Sequence, residues 1–100
     1  MSNKPYLNLL GLAFRARKCT IGEDLIVKDI QNNRAKIVLI TNDIGEQTKK
    51  KLIDKCTTYE VDFFHVDDRQ TIGHAMGKFD RVAVAITDKG FADKFKTLLS

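Results

Sequence analysis

The chain has 100 residues, of which 43% are hydrophobic and 30% charged, as is typical of one globular domain. No run approaches the roughly 20 apolar residues that a membrane helix needs. The N-terminus, MSNKPYLNLL, does not show the order of a signal peptide, in which a basic region is followed by an apolar region and then by small residues. We therefore expect a cytoplasmic protein without a membrane partner. Cys19 and Cys56 form no CxxC pattern, so we expect two reduced thiols.

The net charge is +4, and the charges are separated along the chain. The segment FRARKCT (14–20) has three cations and no acid, and TKKKLIDK (48–55) has four lysines against one acid. In contrast, YEVDFFHVDD (59–68) has four acids and neither lysine nor arginine. This separation indicates a basic surface suited to phosphates. For the lysine triplet, a solvated helix face is the alternative explanation.

Hydrophobic spacing predicts helices and short strands in alternation. In chain order they are helix 4–17, strand 19–21, helix 22–33, strand 35–41, helix 46–58, strand 61–66, helix 69–77, strand 81–87 and helix 89–99. Such alternation predicts a sheet that is largely parallel in its core, with helices on both faces. The predicted fold is α/β: one domain, residues 1–100, forming a three-layer α/β/α sandwich around a mostly parallel central sheet of about four strands.

Polar residues predict where several helices begin. Thr20 with Glu23, and Asp43 with Glu46, have the spacing of capping boxes, and Asp88 is placed to cap the last helix. The predicted inward face of the second helix comprises Leu25, Ile26 and Ile30.

The residues carry no enzyme signature. His65, Asp67, Asp68 and His74 can each bind a metal, but their spacing completes no zinc pattern, and an acidic loop at a strand end with a surface histidine is the favoured explanation. No GxSxG, P-loop or GxGxxG is present, and GHAMG is a weak phosphate-binding signal. We therefore expect no catalytic residue, no metal and no cofactor; a metal site around His65 is the weakest alternative.

Two segments have the chemistry of nucleic-acid binding. Gly22 begins a helix, where free N–H groups and a partial positive charge attract phosphate, and Arg17, Lys18 and Lys28 add cations on either side of it. The loop GKFDR, residues 77–81, places an aromatic side chain between two cations. Such a loop can hold the RNA backbone while stacking on an unpaired base.

Phe79 has a second possible role. A phenylalanine in a loop between helix and strand can equally be buried as part of the core.

These segments resemble a known family. The chain resembles the ribosomal proteins that bind kink-turn RNA, the L-seven-Ae and L-thirty-e type, in four segments that follow one another in the same order. They are TIG, then VK after four residues, then AKIVLIT and IGHAMGKFDRVAVAI. The resemblance covers nearly the whole chain and implies a three-layer α/β/α sandwich. It also implies recognition of a sharply bent internal loop in RNA, through the start of the second helix and the loop before the last strand. Gly22 and Lys28 match the first region, and residues 78–82 match the second, where an apolar side chain covers an extruded base.

The chain departs from the family pattern after Gly22. Members commonly have asparagine followed by glutamate where this chain has Asp24 and Leu25. Leucine can neither donate nor accept a hydrogen bond. Glu23 and Asp24 favour a helix N-terminus electrostatically, but they also repel phosphates there. Whether the RNA is a kink-turn is therefore left open.

The sequence thus predicts a non-enzymatic, ribosome-associated RNA-binding protein, monomeric and without cofactor. Its partner is structured, kink-turn-like RNA, with ribosomal RNA or the ribosome as the candidates. The predicted RNA-binding residues are Arg17, Lys18, Gly22, Glu23, Asp24, Lys28, Lys78, Phe79 and Arg81. The alternative is a protein-interaction module on the same fold that has lost kink-turn recognition, with an exposed Leu25 in an apolar contact patch.

Overall fold

The computed structural model describes residues 4–100; the first three residues of the predicted domain and N-terminal segment lie outside the described residues. The helices are α1 (Pro5–Arg15), α2 (Glu23–Gln31), α3 (Glu46–Thr58), α4 (Arg69–Ala75) and α5 (Lys89–Leu99). The strands are β1 (Cys19–Ile21), β2 (Ile37–Thr41), β3 (Asp62–Val66) and β4 (Ala83–Ile86). The predicted alternation is confirmed. Among the described helices, none has the length and apolar character needed to cross a bilayer.

The four strands form one sheet in the order β1-β4-β2-β3, with helices on both faces. The central strands β2 and β4 are buried along their whole length, as their apolar, largely β-branched sequences predict. On one face α1, α4 and α5 enclose a core that includes Leu10, Ile72 and Phe95. On the other face α2 and α3 enclose a core that includes Ile26 and Leu52. The three-layer α/β/α sandwich is confirmed.

The prediction of a mostly parallel sheet is wrong in detail, because the sheet is mixed. Strands β2 and β3 are parallel, but β4 is antiparallel to both of its neighbours, β1 and β2. Thr41 at the end of β2 pairs with Val66 at the end of β3, and the preceding residue, Ile40, pairs with Ala83 at the start of β4. Strand β4 therefore begins at the end of the sheet where β3 finishes.

The connections that follow β1, β2 and β3 and the one that precedes β4 lie at the same end of the sheet. Ile21, at the end of β1, pairs with Val84 near the start of β4. Thr41, at the end of β2, pairs with Val66 at the end of β3. We call this the site end of the sheet, where β1, β2 and β3 finish and β4 begins. Helices α2 and α3 both begin there, because each follows a strand that finishes there.

The two predicted capping boxes are wrong, although Asp88 caps α5 as predicted, accepting from the Phe91 N–H at 2.9 Å. The N-cap of both α2 and α3 is a glycine, with no side-chain cap. Thr20 lies in β1, and its hydroxyl donates to Asp29 at 2.6 Å. Asp43 accepts from the Arg69 backbone N–H, at the first residue of α4, at 3.0 Å. Both polar side chains form tertiary contacts that compete with local capping.

Helix α4 packs directly on the backbone of residues 78–82, which we call the 78–82 loop. A methyl group at Gly73 would lie 2.7 Å from the Phe79 carbonyl carbon, closer than real contacts allow. The Lys78 N–H donates to the Gly73 carbonyl at 2.9 Å, and the Arg81 N–H donates to the carbonyl of the first residue of α4 at 3.2 Å. The loop is therefore fixed to α4 at two points, in a position that only glycine at 73 permits.

We expect Gly73→Ala to destabilise the protein and displace the 78–82 loop. Because the clash is with backbone, which cannot rotate away, the free energy of unfolding should fall by about 2–3 kcal/mol. Urea unfolding measures the loss, and amide chemical shifts of residues 78–82 report the displacement. Gly45→Ala is the matched control, since a methyl group there meets nothing within 4 Å, and its cost should stay within about 1 kcal/mol. Equal losses for the two variants would contradict the packing argument.

Candidate nucleic-acid interface

The two segments predicted to bind RNA lie together at the site end. A cavity of about 170 Å³ is lined by Gly22 and Glu23 at the start of α2 and by Asp80, Arg81 and Val82 of the 78–82 loop. These segments are far apart in sequence. They meet because β4 lies next to β1 and antiparallel to it, so that the start of β4 faces the end of β1.

Gly22 gives α2 an open N-terminus. It is exposed and has a φ of 95°, a left-handed conformation that residues with a side chain rarely adopt. A Cβ at this position would meet nothing within 4 Å, so the space beside the backbone is open. The first N–H groups of α2 have no side-chain cap. They are therefore free to donate to a ligand at the positive end of the helix dipole.

Phe79 is 90% exposed, so its alternative role in the core is excluded. Its backbone is held by the contacts of the 78–82 loop with α4, while its ring projects into solvent. Lys78 lies with its ammonium 5.5 Å from the centre of the Phe14 ring, a cation–π contact that ties the loop to the end of α1. Arg81 donates from its guanidinium to the Asp80 carbonyl at 2.9 Å. The loop thus presents an aromatic ring between two anchored cations.

The two acids at the start of α2 differ in their surroundings. Glu23 accepts a hydrogen bond from Lys51 of α3 at 2.9 Å, and this bond lowers the pKa of the Glu23 carboxyl below its usual value. Asp24 lies farther from the same ammonium, at 3.8 Å, and its side chain is 96% exposed. Only Asp24 therefore faces solvent as an essentially free carboxylate.

The outward face of α2 carries Leu25 and Lys28. Leu25 is 58% exposed, so the prediction that it points inward is wrong. The buried stripe of α2 consists of Ile26 and Ile30, four residues apart, and Leu25 lies beside that stripe rather than in it. Lys28 is exposed on the same face as Asp24, one turn farther along the helix.

Arg17 and Lys18 lie away from the cavity. The Lys18 carbonyl accepts from the N–H of Thr87, the residue that follows β4, at 2.9 Å. This contact places Lys18 at the end of β1 opposite to Gly22. Arg17 is exposed in a turn, with a φ of 61°. The structure therefore separates these two cations from Gly22 by the length of β1.

Sequence reasoning missed two cations near the cavity, Arg69 and Lys51. Arg69 lines the cavity and binds Asp43 through its side chain at 3.3 Å. A cation at the first position of a helix opposes the helix dipole. That position was a signal that Arg69 serves a tertiary contact. Lys51 is one of three consecutive lysines, and the pattern does not show which of them faces α2.

The residues considered for metal binding are engaged elsewhere. Asp67 accepts from the Tyr6 hydroxyl and from Lys4 at 2.9 Å, and the Tyr6 hydrogen bond is the main cause that lowers the pKa of Asp67. His65 is exposed and packs edge-on against the Phe63 ring. Within residues 4–100, no three histidine, cysteine or acidic side chains come close enough to share an ion.

The two cysteines are free in the structure. Burial raises the pKa of Cys19 to about 12 and that of Cys56 to about 11. Both side chains are therefore neutral thiols at pH 7, whereas the nucleophile in cysteine catalysis is the thiolate.

Known proteins resemble this chain along nearly its whole length. It is 50% identical over 99 residues to the RNA-binding protein YlxQ of Bacillus subtilis, covering 99% of each chain. It is 32% identical over 90 residues to the large ribosomal subunit protein eL30 of Tetrahymena thermophila, covering 88% of this chain and 86% of that one. A solved structure of a protein with unknown function from Bacillus halodurans C matches with a TM-score of 0.94 at 42% identity, covering 97% of this chain and 98% of that one. Residues 6–96 also match one family pattern, and together these matches show that the chain belongs to the ribosomal protein L7Ae/L30e/S12e/Gadd45 family.

Proposed function

We propose that this protein is a non-enzymatic, cytoplasmic RNA-binding protein that associates with the ribosome and meets structured RNA at the site end. The observation that carries the proposal is the shared cavity between the start of α2 and the 78–82 loop, with Phe79 90% exposed in that loop. The relatives support it, since one is an RNA-binding protein and another a protein of the large ribosomal subunit.

The start of α2 supplies the contacts for the RNA backbone. Its first N–H groups are uncapped, and Gly22 leaves open space through which a phosphate can approach them. Lys28 lies about 9 Å along the helix axis from Gly22 and adds an exposed cation to α2. Arg81 faces the same cavity from the 78–82 loop. This arrangement places cations on both sides of the helix N-terminus.

The 78–82 loop supplies the contact for a base. An aromatic ring stacks on any unpaired base, because every base has a π face. The loop is already fixed by its hydrogen bonds to α4. Little conformational entropy is therefore lost when Phe79 meets RNA. A sharply bent internal loop, such as a kink-turn, offers both an unpaired base and a backbone close to it, so we propose that the RNA is of this kind.

The first test is binding of the purified protein to a kink-turn RNA, to ribosomal RNA and to ribosomal subunits, by gel shift or filter binding across a salt series. If about three phosphates are neutralised, the plot of log K against log[salt] should have a slope of about −2 to −3. Absence of binding to all three probes at low salt would contradict the proposed RNA-binding function.

The variant Phe79→Ala should weaken RNA binding while leaving the fold intact. Loss of one base-stacking contact corresponds to about 1–3 kcal/mol, or roughly 5- to 150-fold in affinity. Stability should change by less than about 0.5 kcal/mol, because the ring is exposed. Leu12→Ala is the matched control: it also removes an exposed apolar side chain, which lines a separate groove between α1 and α5. An equal loss of affinity in both variants would contradict a role for Phe79 in stacking.

A second candidate function is a protein contact through α2. The observation that favours it is Leu25, which is 58% exposed at a position where kink-turn binders have a polar residue. A protein partner would cover this leucine, whereas RNA gains no hydrogen bond from it. The RNA-binding proposal does not need Leu25, so the two functions can be separated by changing this residue alone.

The variant Leu25→Glu tests the second function. If RNA is the only partner, the variant should bind RNA unchanged or more tightly, because a glutamate accepts hydrogen bonds from a guanine edge and leucine does not. Filter binding to RNA and co-sedimentation with ribosomal subunits measure the two activities separately. Gln31→Glu is the control, since it adds the same charge at an exposed position farther along α2. Retained RNA affinity with lost association to subunits, in the Leu25 variant alone, would favour a protein contact.

A further inference from the structure

We propose that Lys51 is a positioning residue for RNA binding: it holds the Glu23 carboxylate against α3 and so keeps that negative charge from the approaching RNA backbone. The inference rests on the proposed RNA-binding function and concerns the same site. It assigns a role to α3, a helix that supplies none of the predicted RNA-binding residues.

The geometry links two neighbouring helices. Helices α2 and α3 pack side by side on one face of the sheet and both begin at the site end. The Lys51 ammonium donates to Glu23 at 2.9 Å and lies 3.8 Å from Asp24. The Glu23 side chain is 35% exposed and that of Asp24 is 96% exposed. The shorter and less exposed contact is therefore with Glu23, the acid that lines the cavity.

The charges of the pair sustain each other. The hydrogen bond from Lys51 is the main cause that lowers the pKa of Glu23, and the bond to Glu23 is the main cause that raises the pKa of Lys51. Both groups therefore stay charged around neutral pH, and as a pair they present little net charge to a ligand.

Without Lys51, Glu23 would oppose RNA in two ways. Its carboxylate, then held by the Thr48 side chain alone and no longer neutralised by a cation, would repel phosphates at the N-terminus of α2. It could also turn toward the uncapped N–H groups of α2 or toward Arg81, which shares the cavity with it. In that position it would occupy the donors that the RNA backbone needs.

The neighbouring Lys50 provides a matched comparison. It is exposed, carries the same charge on the same helix, and within residues 4–100 it forms no ion pair. Removal of Lys50 therefore lowers the net charge by one without releasing Glu23. A purely long-range effect of net charge predicts the same loss for either lysine, whereas a positioning role predicts a greater loss for Lys51.

The experiment compares Lys51→Ala with Lys50→Ala, each alone and combined with Glu23→Gln. The probe is the RNA, kink-turn or ribosomal, that the wild-type protein binds more tightly. We expect about a two-fold loss of affinity for Lys50→Ala and about five-fold or more for Lys51→Ala, at low salt. In the Glu23→Gln background the two lysine variants should become equal, because no carboxylate remains to be released. Lys51→Arg should retain near wild-type affinity, since arginine can hold the same acid.

A second readout needs no RNA. In an NMR titration the pKa of the Glu23 carboxyl should rise in Lys51→Ala and stay unchanged in Lys50→Ala. An unchanged Glu23 pKa in Lys51→Ala would overturn the inference, and so would equal RNA affinities of the two single variants. A loss for Lys51→Ala that persists in full with Glu23→Gln would overturn it too, because it would show that Lys51 contacts phosphate directly. If the wild-type protein binds no RNA, the proposed RNA-binding function itself fails. If it binds RNA and one of the outcomes above is found, only the positioning role of Lys51 fails.

Discussion

The position of β4 between β1 and β2, antiparallel to both, determines where the candidate interface forms. Because β4 begins where the other strands finish, the 78–82 loop lies beside the start of α2 instead of at the far end of the sheet. Had β4 been parallel to its neighbours, the loop and Gly22 would lie at opposite ends. The cavity and its two lining segments follow from this one strand direction. The contact of Arg69 with Asp43 follows instead from the parallel pairing of β2 with β3, whose last residues lie side by side.

A second constraint fixes the loop after the strand has placed it. The close approach of Gly73 to the Phe79 backbone lets α4 act as a support, and the hydrogen bonds from Lys78 and Arg81 to α4 secure both sides of the loop. An exposed phenylalanine on a mobile loop would lose conformational entropy on meeting a base. In the 78–82 loop, most of that conformational entropy is already lost when the protein folds. The fold thus connects a glycine inside a helix to the presentation of an aromatic ring in solvent.

The sequence was sufficient to predict the architecture, because the apolar runs of β2 and β4 and the helical spacing of α1 and α5 are local patterns. It was not sufficient for the direction of β4, which depends on where a short helix can carry the chain. The predicted capping boxes were wrong for a related reason. Thr20 and Asp43 have the spacing of capping residues, but their side chains bind Asp29 and Arg69, which lie outside the capping boxes.

The candidate site was predictable to a similar degree. Gly22 and Phe79 could be named as candidate residues from the sequence, because glycine at a helix start and an aromatic side chain between cations have a local chemical meaning. The separation of Arg17 and Lys18 from Gly22 follows from the strand predicted at 19–21, although all three residues were predicted to belong to one site. The exposure of Leu25 was not predictable. In a short amphipathic helix, a shift of one residue in the position assigned to the buried stripe decides whether Leu25 is buried or exposed.

The start of α2 has to satisfy two opposing electrostatic demands. Thr20 is committed to Asp29, so α2 has no side-chain cap and depends on Glu23 and Asp24 to offset the positive end of its dipole. The same two acids oppose an RNA backbone at that end.

The Glu23 carboxylate lies a few ångströms from the N-terminus of α2, so it still stabilises the helix dipole when it is paired with Lys51. A phosphate lies farther away, where the opposite charges of Glu23 and Lys51 largely cancel. Arg69 and Asp43 form a second neutral pair beside it. The charges that remain near the cavity are then the acids Asp24 and Asp80 against the cations Lys28, Lys78 and Arg81. Over the start of α2 and the 78–82 loop alone, that balance is positive by one charge, so we expect the two acids of α2 to weaken an attraction for phosphates there without reversing it.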